Sequence, residues 1–176
     1  MSQISELTGE ELTKVLTYAG LILVAFELIK SLIVKPIKAF YLNITFCEGL
    51  PFKSYDEDVL FRHKNEFEAC LLYLRDFMKV IDSDDILVIQ GLREHRNDLA
   101  HNIAHRLQAK DVEHDVVLLE RVNKTLFKLS NYRTYMEIGP DPKFQSKGFD
   151  WDLVKGHEYL VFEEVLSKIR AFEAKL

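Results

Sequence analysis

The chain has 176 residues, 48% of them apolar and 29% charged, with a formal net charge of −5. That length suits one domain able to bury a core without disulfide or metal staples, and the composition excludes a disordered chain. The acidic balance excludes indiscriminate coating of nucleic acid, although not a local basic cleft.

In chain order, the polar opening "SQISELTGEEL" is unlike a secretion signal. Within it, Thr8 and Glu11 have the spacing of a capping box, which predicts a first helix running to about Val34, just before Pro36. The segment from Val15 to Val34 is apolar on nearly all sides, but its charge-free run stops at Glu27, with Lys30 close behind. A membrane span needs about twenty apolar residues, and charges near its centre are costly. The expectation is therefore a helix buried between neighbours or subunits of a cytoplasmic protein, with no membrane contact. Cys47 and Cys70 sit in apolar contexts without metal-ligand spacing and read as buried thiols, with a disulfide the alternative.

Residues 36–55, rich in aromatics with two prolines and a glycine, read as an irregular connection. Ser54 and Glu57 repeat the capping box. They open a predicted second helix with Leu60, Phe67, Leu71, Leu74, Met78 and Ile81 at threes and fours, and Lys64 as its one break. The run Asp82–Asp85 caps a third helix, about Asp84 to Leu107. A fourth starts near Asp111 and carries Val112, Val116, Leu119, Val122, Leu126 and Leu129. Residues 139–150 read as a loop, and a last helix after Gly156 presents Phe162, Val165, Leu166, Ile169 and Phe172. No hairpin chemistry occurs. The prediction is a single all-α domain over 1–176, an antiparallel bundle of about five helices.

The third helix contains "REHRNDLAHNIAHR", three arginines and three of the six histidines in fourteen residues of an acidic chain. At about 100° per residue, Ile89, Leu92, Leu99, Ile103 and Leu107 form the core stripe, and Arg96 falls near its centre. An arginine there is paired, or faces a cleft or a second subunit. His101 lies about 140° round from it. Between the two directions come Arg93, Asn97, Ala100 and Ala104, so small residues leave room for an anion. His95 points away and reads as a solvated surface residue. Arg93 and Arg106 are as readily explained as helix-surface charges.

"RNDLAH", Arg96 to His101, resembles the motif of the HEPN superfamily, an arginine followed after four to six residues by a histidine, with a polar residue such as Asn97 next to the arginine. These are all-α ribonucleases of toxin–antitoxin, abortive-infection and other phage-defence systems, and the likeness covers about residues 56–131. It implies a HEPN-like fold and a metal-independent endoribonuclease without cofactor. In that reading His101 is general base or acid, Arg96 stabilises the phosphorane, Asn97 orients either group, and Arg93 and His105 contact substrate. The resemblance further implies a homodimer in which two motifs share one cleft, an RNA substrate, 2′,3′-cyclic phosphate and 5′-hydroxyl products, and restraint by an antitoxin protein. The upstream acidic residue of the family falls on Glu68, Asp76 or Glu94. Two alternatives remain open. One is a non-catalytic module of the same kind that binds RNA, a nucleotide or a partner protein. The other is a metal-binding helical bundle using His101 and His105, four apart, near Glu94 and Asp98. On the structural alternative, Arg96 pairs with Glu68 or Asp76.

Overall fold

The computed structural model describes residues 8–43, 49, 51–109, 113–145 and 147–173, with the backbone alone at 14, 103–109, 113–116, 145, 169, 172 and 173. Cys47, Val112 and the side chains of Ile103, His105, Arg106, Leu107, Val116, Ile169 and Phe172 therefore lie outside the described residues. What is described is all-α, without a strand among those residues. The elements are α1 (Gly9–Asn43), α2 (Tyr55–Asp58), a 3-10 turn (Leu60–Arg62), α3 (Glu66–Asp76), α4 (Ser83–Ala109), α5 (Glu113–Ile138), α6 (Pro142–Gln145), a second 3-10 turn (Trp151–Leu153) and α7 (His157–Glu173).

The capping box at Thr8 forms as expected: its backbone amide donates to Glu11 at 3.0 Å, and the Glu11 amide donates back to the Thr8 hydroxyl at 3.2 Å. The helix does not stop at Val34. It runs through Pro36 to Asn43, although proline removes one intrahelical hydrogen bond and costs about 3 kcal/mol inside a helix. Packing beyond the proline offsets that cost. Ile37 is buried, and the Tyr41 hydroxyl donates to Asp58 at 2.8 Å and lies 3.1 Å from the Tyr73 hydroxyl. Burying one large apolar side chain is worth about 1.5–3 kcal/mol and a hydrogen bond to a carboxylate about as much, so the two anchors together suffice.

The predicted second helix is broken. Ser54 caps a single turn, α2, and the break in the apolar pattern at Lys64 is where the chain leaves helical geometry. Asn65 then starts α3 afresh by accepting from the Glu68 amide at 3.2 Å. After Asp76, α3 ends with Lys79 in the left-handed region (φ 57°) and the Val80 amide returning to the Leu74 carbonyl at 3.0 Å. Residues 139–150 are less irregular than expected, since α6 lies within them.

α1 packs against α3, α4, α5 and α7. Its Ile22, Ala25, Ile29 and Ile33, at threes and fours, are wholly buried. One core cluster joins them to Leu71 of α3, Ile89 of α4, Leu126 of α5 and Phe162 of α7. α1 alone among the described residues is long and apolar enough to cross a membrane. Its most apolar window has a mean hydropathy of 1.8, and 50% of that window is buried inside the molecule. The start of α4 is tied to α5 by one buried carboxylate. Asp85 accepts from the Thr125 hydroxyl at 2.8 Å and from Lys128 at 2.6 Å, and shares a reciprocal cap with Asp82.

Candidate functional site

α4 carries its apolar stripe through Ile89, Leu92 and Leu99, all at most 3% exposed, and Arg96 interrupts it as the spacing predicts. The Arg96 guanidinium lies over the Phe26 ring of α1, 5.5 Å from the centroid, and donates to Asn97 Oδ1 at 3.0 Å. Neither acidic candidate neutralises it. Glu68 reaches across from α3 to accept from Arg93 at 2.8 Å and Gln90 at 3.2 Å, and Asp76 holds Arg75 at 2.6 Å. Arg96 Nε is buried and has no hydrogen-bond partner. An orphaned buried donor costs about 1–3 kcal/mol, which offsets what the Phe26 contact and the Asn97 bond contribute.

Beside it opens a cavity of about 300 Å³, lined by Phe26, Lys30, Asn65, Phe67, Arg93, Arg96 and Asn97. Three cations and no carboxylate face it, in a chain that is acidic overall. The Arg93 guanidinium lies 5.9 Å from the Phe67 centroid, and Glu68 behind it holds it in place. Among Glu68, Asp76 and Glu94, only Glu68 is bonded to the residues that build this cavity. Lys30, Asn65, Phe26 and Phe67 were not singled out as site residues from sequence. Their signals were the cation that interrupts the apolar first helix and the N-cap asparagine three residues before Glu68.

The structure does not bring His101 to this cavity within one chain. It is exposed on α4, five residues and about 7.5 Å along the axis from Arg96. Directly after it, Asn102 departs from helical geometry (φ −121°, ψ 24°) and its side-chain Nδ2 donates to Asp98 Oδ1 at 2.8 Å, so the helix kinks beside the imidazole. His95 corrects an expectation. It is not a solvated surface group but half-buried against α1, with Nε2 3.0 Å from the Tyr18 hydroxyl. Tyr18 of α1 is buried and polar-tipped, and its ring meets the imidazole edge-on with centroids 5.9 Å apart.

Among the described residues no group of three or more His, Cys, Asp or Glu is placed to hold a metal; the His105 side chain lies outside them. Cys70 is buried, and burial pushes its thiol pKa up, which keeps it protonated and unreactive. A second cavity of about 320 Å³ lies between α1, α3 and α5, bounded by apolar residues such as Pro36, Phe40, Met78 and Met136. Its charged lining residues, Arg133 and Glu137, pair with each other at 2.7 Å. Burial holds the Tyr132 hydroxyl beside it up to about 12. No family model fits the sequence, and no curated protein and no solved structure matches it.

Proposed function

We propose that this chain is a HEPN-type, metal-independent endoribonuclease acting as a homodimer in the cytoplasm, a toxin or phage-defence effector held in check by an antitoxin protein. The observation that carries the reading is Arg96. It is a core-stripe guanidinium without a carboxylate, with an orphaned Nε, opening on a cation-lined cavity. A half-buried guanidinium without a carboxylate partner suits an anionic ligand.

In the reaction, the imidazole of His101 accepts the proton of the RNA 2′-hydroxyl and the 2′-oxygen attacks phosphorus. The bond from phosphorus to the 5′-oxygen breaks, and that oxygen takes a proton from the same histidine of a second copy. Arg96 and Asn97 hold the non-bridging oxygens as charge develops, and Arg93 and His105 contact the strand. The exposed position of His101 and the separation of the two residues within one chain fit a cleft completed by a second copy. The exposed Leu16, Leu23 and Val24 of α1 offer apolar surface for such an association.

The test is cleavage of a mixed RNA pool by purified protein in excess chelator. Expected are 2′,3′-cyclic phosphate and 5′-hydroxyl ends, lost in His101→Ala without loss of fold. Intact RNA at every protein concentration sinks the proposal. One observation favours a second reading, a non-catalytic anion-binding module: an anion in the Arg96 cavity would not touch His101 of the same chain. RNA bound but never cut would support it.

A further inference from the structure

We infer that the cavity between α1, α3 and α4 is a subsite for the phosphate of the RNA strand next to the scissile one, with Lys30 and the first turn of α3 as binding groups and Arg96 shared between the two phosphates. The inference rests on the nuclease reading for its choice of RNA, and on the following geometry for the site itself. Lys30 of α1 and Arg93 and Arg96 of α4 converge on one cavity with Asn65 and Phe67 of α3. Lys30 has no ion-pair partner among the described residues, Arg96 Nε is orphaned, and only Arg93 is neutralised, by Glu68. The cavity therefore carries a net surplus of positive charge.

α3 adds a neutral contribution. Its cap uses the Asn65 side chain for the Glu68 amide and the Asn65 carbonyl for the Ala69 amide. The amides of Glu66 and Phe67 stay without intrahelical partners, at the positive end of an eleven-residue helix. Cations on two helices, with the first turn of a third at the cavity wall through Asn65 and Phe67, suit the non-bridging oxygens of a phosphodiester. His101, exposed and about 7.5 Å further along α4, is left to act on a neighbouring phosphate.

Two variants test this without threatening the fold. Lys30→Gln changes an exposed side chain. Asn65→Asp keeps an equally good N-cap and is favourable to the helix end, yet sets a carboxylate in the cavity. The probe is a short fully 2′-O-methyl RNA, which lacks the attacking hydroxyl, titrated against the full chain at several salt concentrations. Inorganic phosphate is the competing arm.

Expected is binding by the wild type that falls about tenfold or more in each variant, the loss of one charge-assisted contact. The slope of log affinity against log salt should shrink by about one in Lys30→Gln. Thermal stability of Asn65→Asp stays at or above that of the wild type. Variants that bind the strand as the wild type does overturn the subsite, and so does a wild type that binds no strand. Inorganic phosphate binding as tightly as the strand also overturns it, in favour of a free-anion site. Protein that cuts no RNA, while both variants lose the 2′-O-methyl strand, supports the subsite and removes the nuclease.

Discussion

Replacing Arg96 by methionine separates a structural arginine from one held for a ligand. Three contributions can be weighed. The cation–π contact with Phe26 is worth about 0.5–1 kcal/mol, and methionine recovers part of it through sulfur–ring contact, about 0.3–1.5 kcal/mol. The bond to the exposed Asn97 is worth about 0.5 kcal/mol. Against these stands the buried Nε without a partner, whose removal returns about 1–3 kcal/mol. Arg96→Met should therefore fold and be neutral to about 2 kcal/mol more stable, a rise in Tm of up to about 4–8 °C at this chain length. RNA cleavage and strand binding should be lost together. Urea unfolding followed by circular dichroism, at one fixed protein concentration because association would shift the midpoint, reads the difference. A variant more than about 2 kcal/mol less stable than the wild type would show that the guanidinium holds the fold. Arg96 would then be a structural cation and not one held for a ligand.

Three further outcomes test the framework that positions the site. Asp85→Ala removes the reciprocal cap on α4 and leaves the buried Thr125 hydroxyl unsatisfied, so it should cost about 2–4 kcal/mol in urea unfolding; a loss under 1 kcal/mol would contradict the network. Asp82 is held below the ordinary carboxylate pKa, first by the Asp85 amide and then by Lys128. The stability it contributes is present above about pH 3.9 and fades as pH falls through its lower folded value. The gap in Tm between wild type and Lys128→Met should be level near neutrality and close in acid. A gap that widens in acid would refute the pairing. Gly156→Ala places a methyl against the Ser130 hydroxyl and its carbonyl oxygen, and should cost about 1–3 kcal/mol, with partial recovery when Ser130→Ala is added.

Local patterns carried much of the architecture. Both capping boxes, the Asp82 cap of α4 and the stripes of α4, α5 and α7 depend on interactions within a few residues, and these are visible as spacing. Where spacing misleads, a distant contact outweighs a local preference. Pro36 argued for a helix end, but Ile37 and Tyr41 found partners in segments far along the chain. The second helix read as continuous because its apolar spacing ran on past Lys64, while Asn65 offered a fresh cap that the backbone took. Helical spacing places His95 toward solvent because its partner Tyr18 lies 77 residues away on another helix.

From the residues alone came the helical class, the placing of Arg96 on an apolar stripe, and the grouping of Arg93, Asn97 and His101 on one side of α4, since each follows from 3.6-residue periodicity. Only the tertiary structure decided that Glu68 goes to Arg93 and leaves Arg96 uncompensated. The same packing made a basic cavity from Lys30 and Asn65 on two other helices, and set His101 apart from it. Those outcomes depend on how helices pack, and a pairing between residues decades apart in sequence has no local period to announce it.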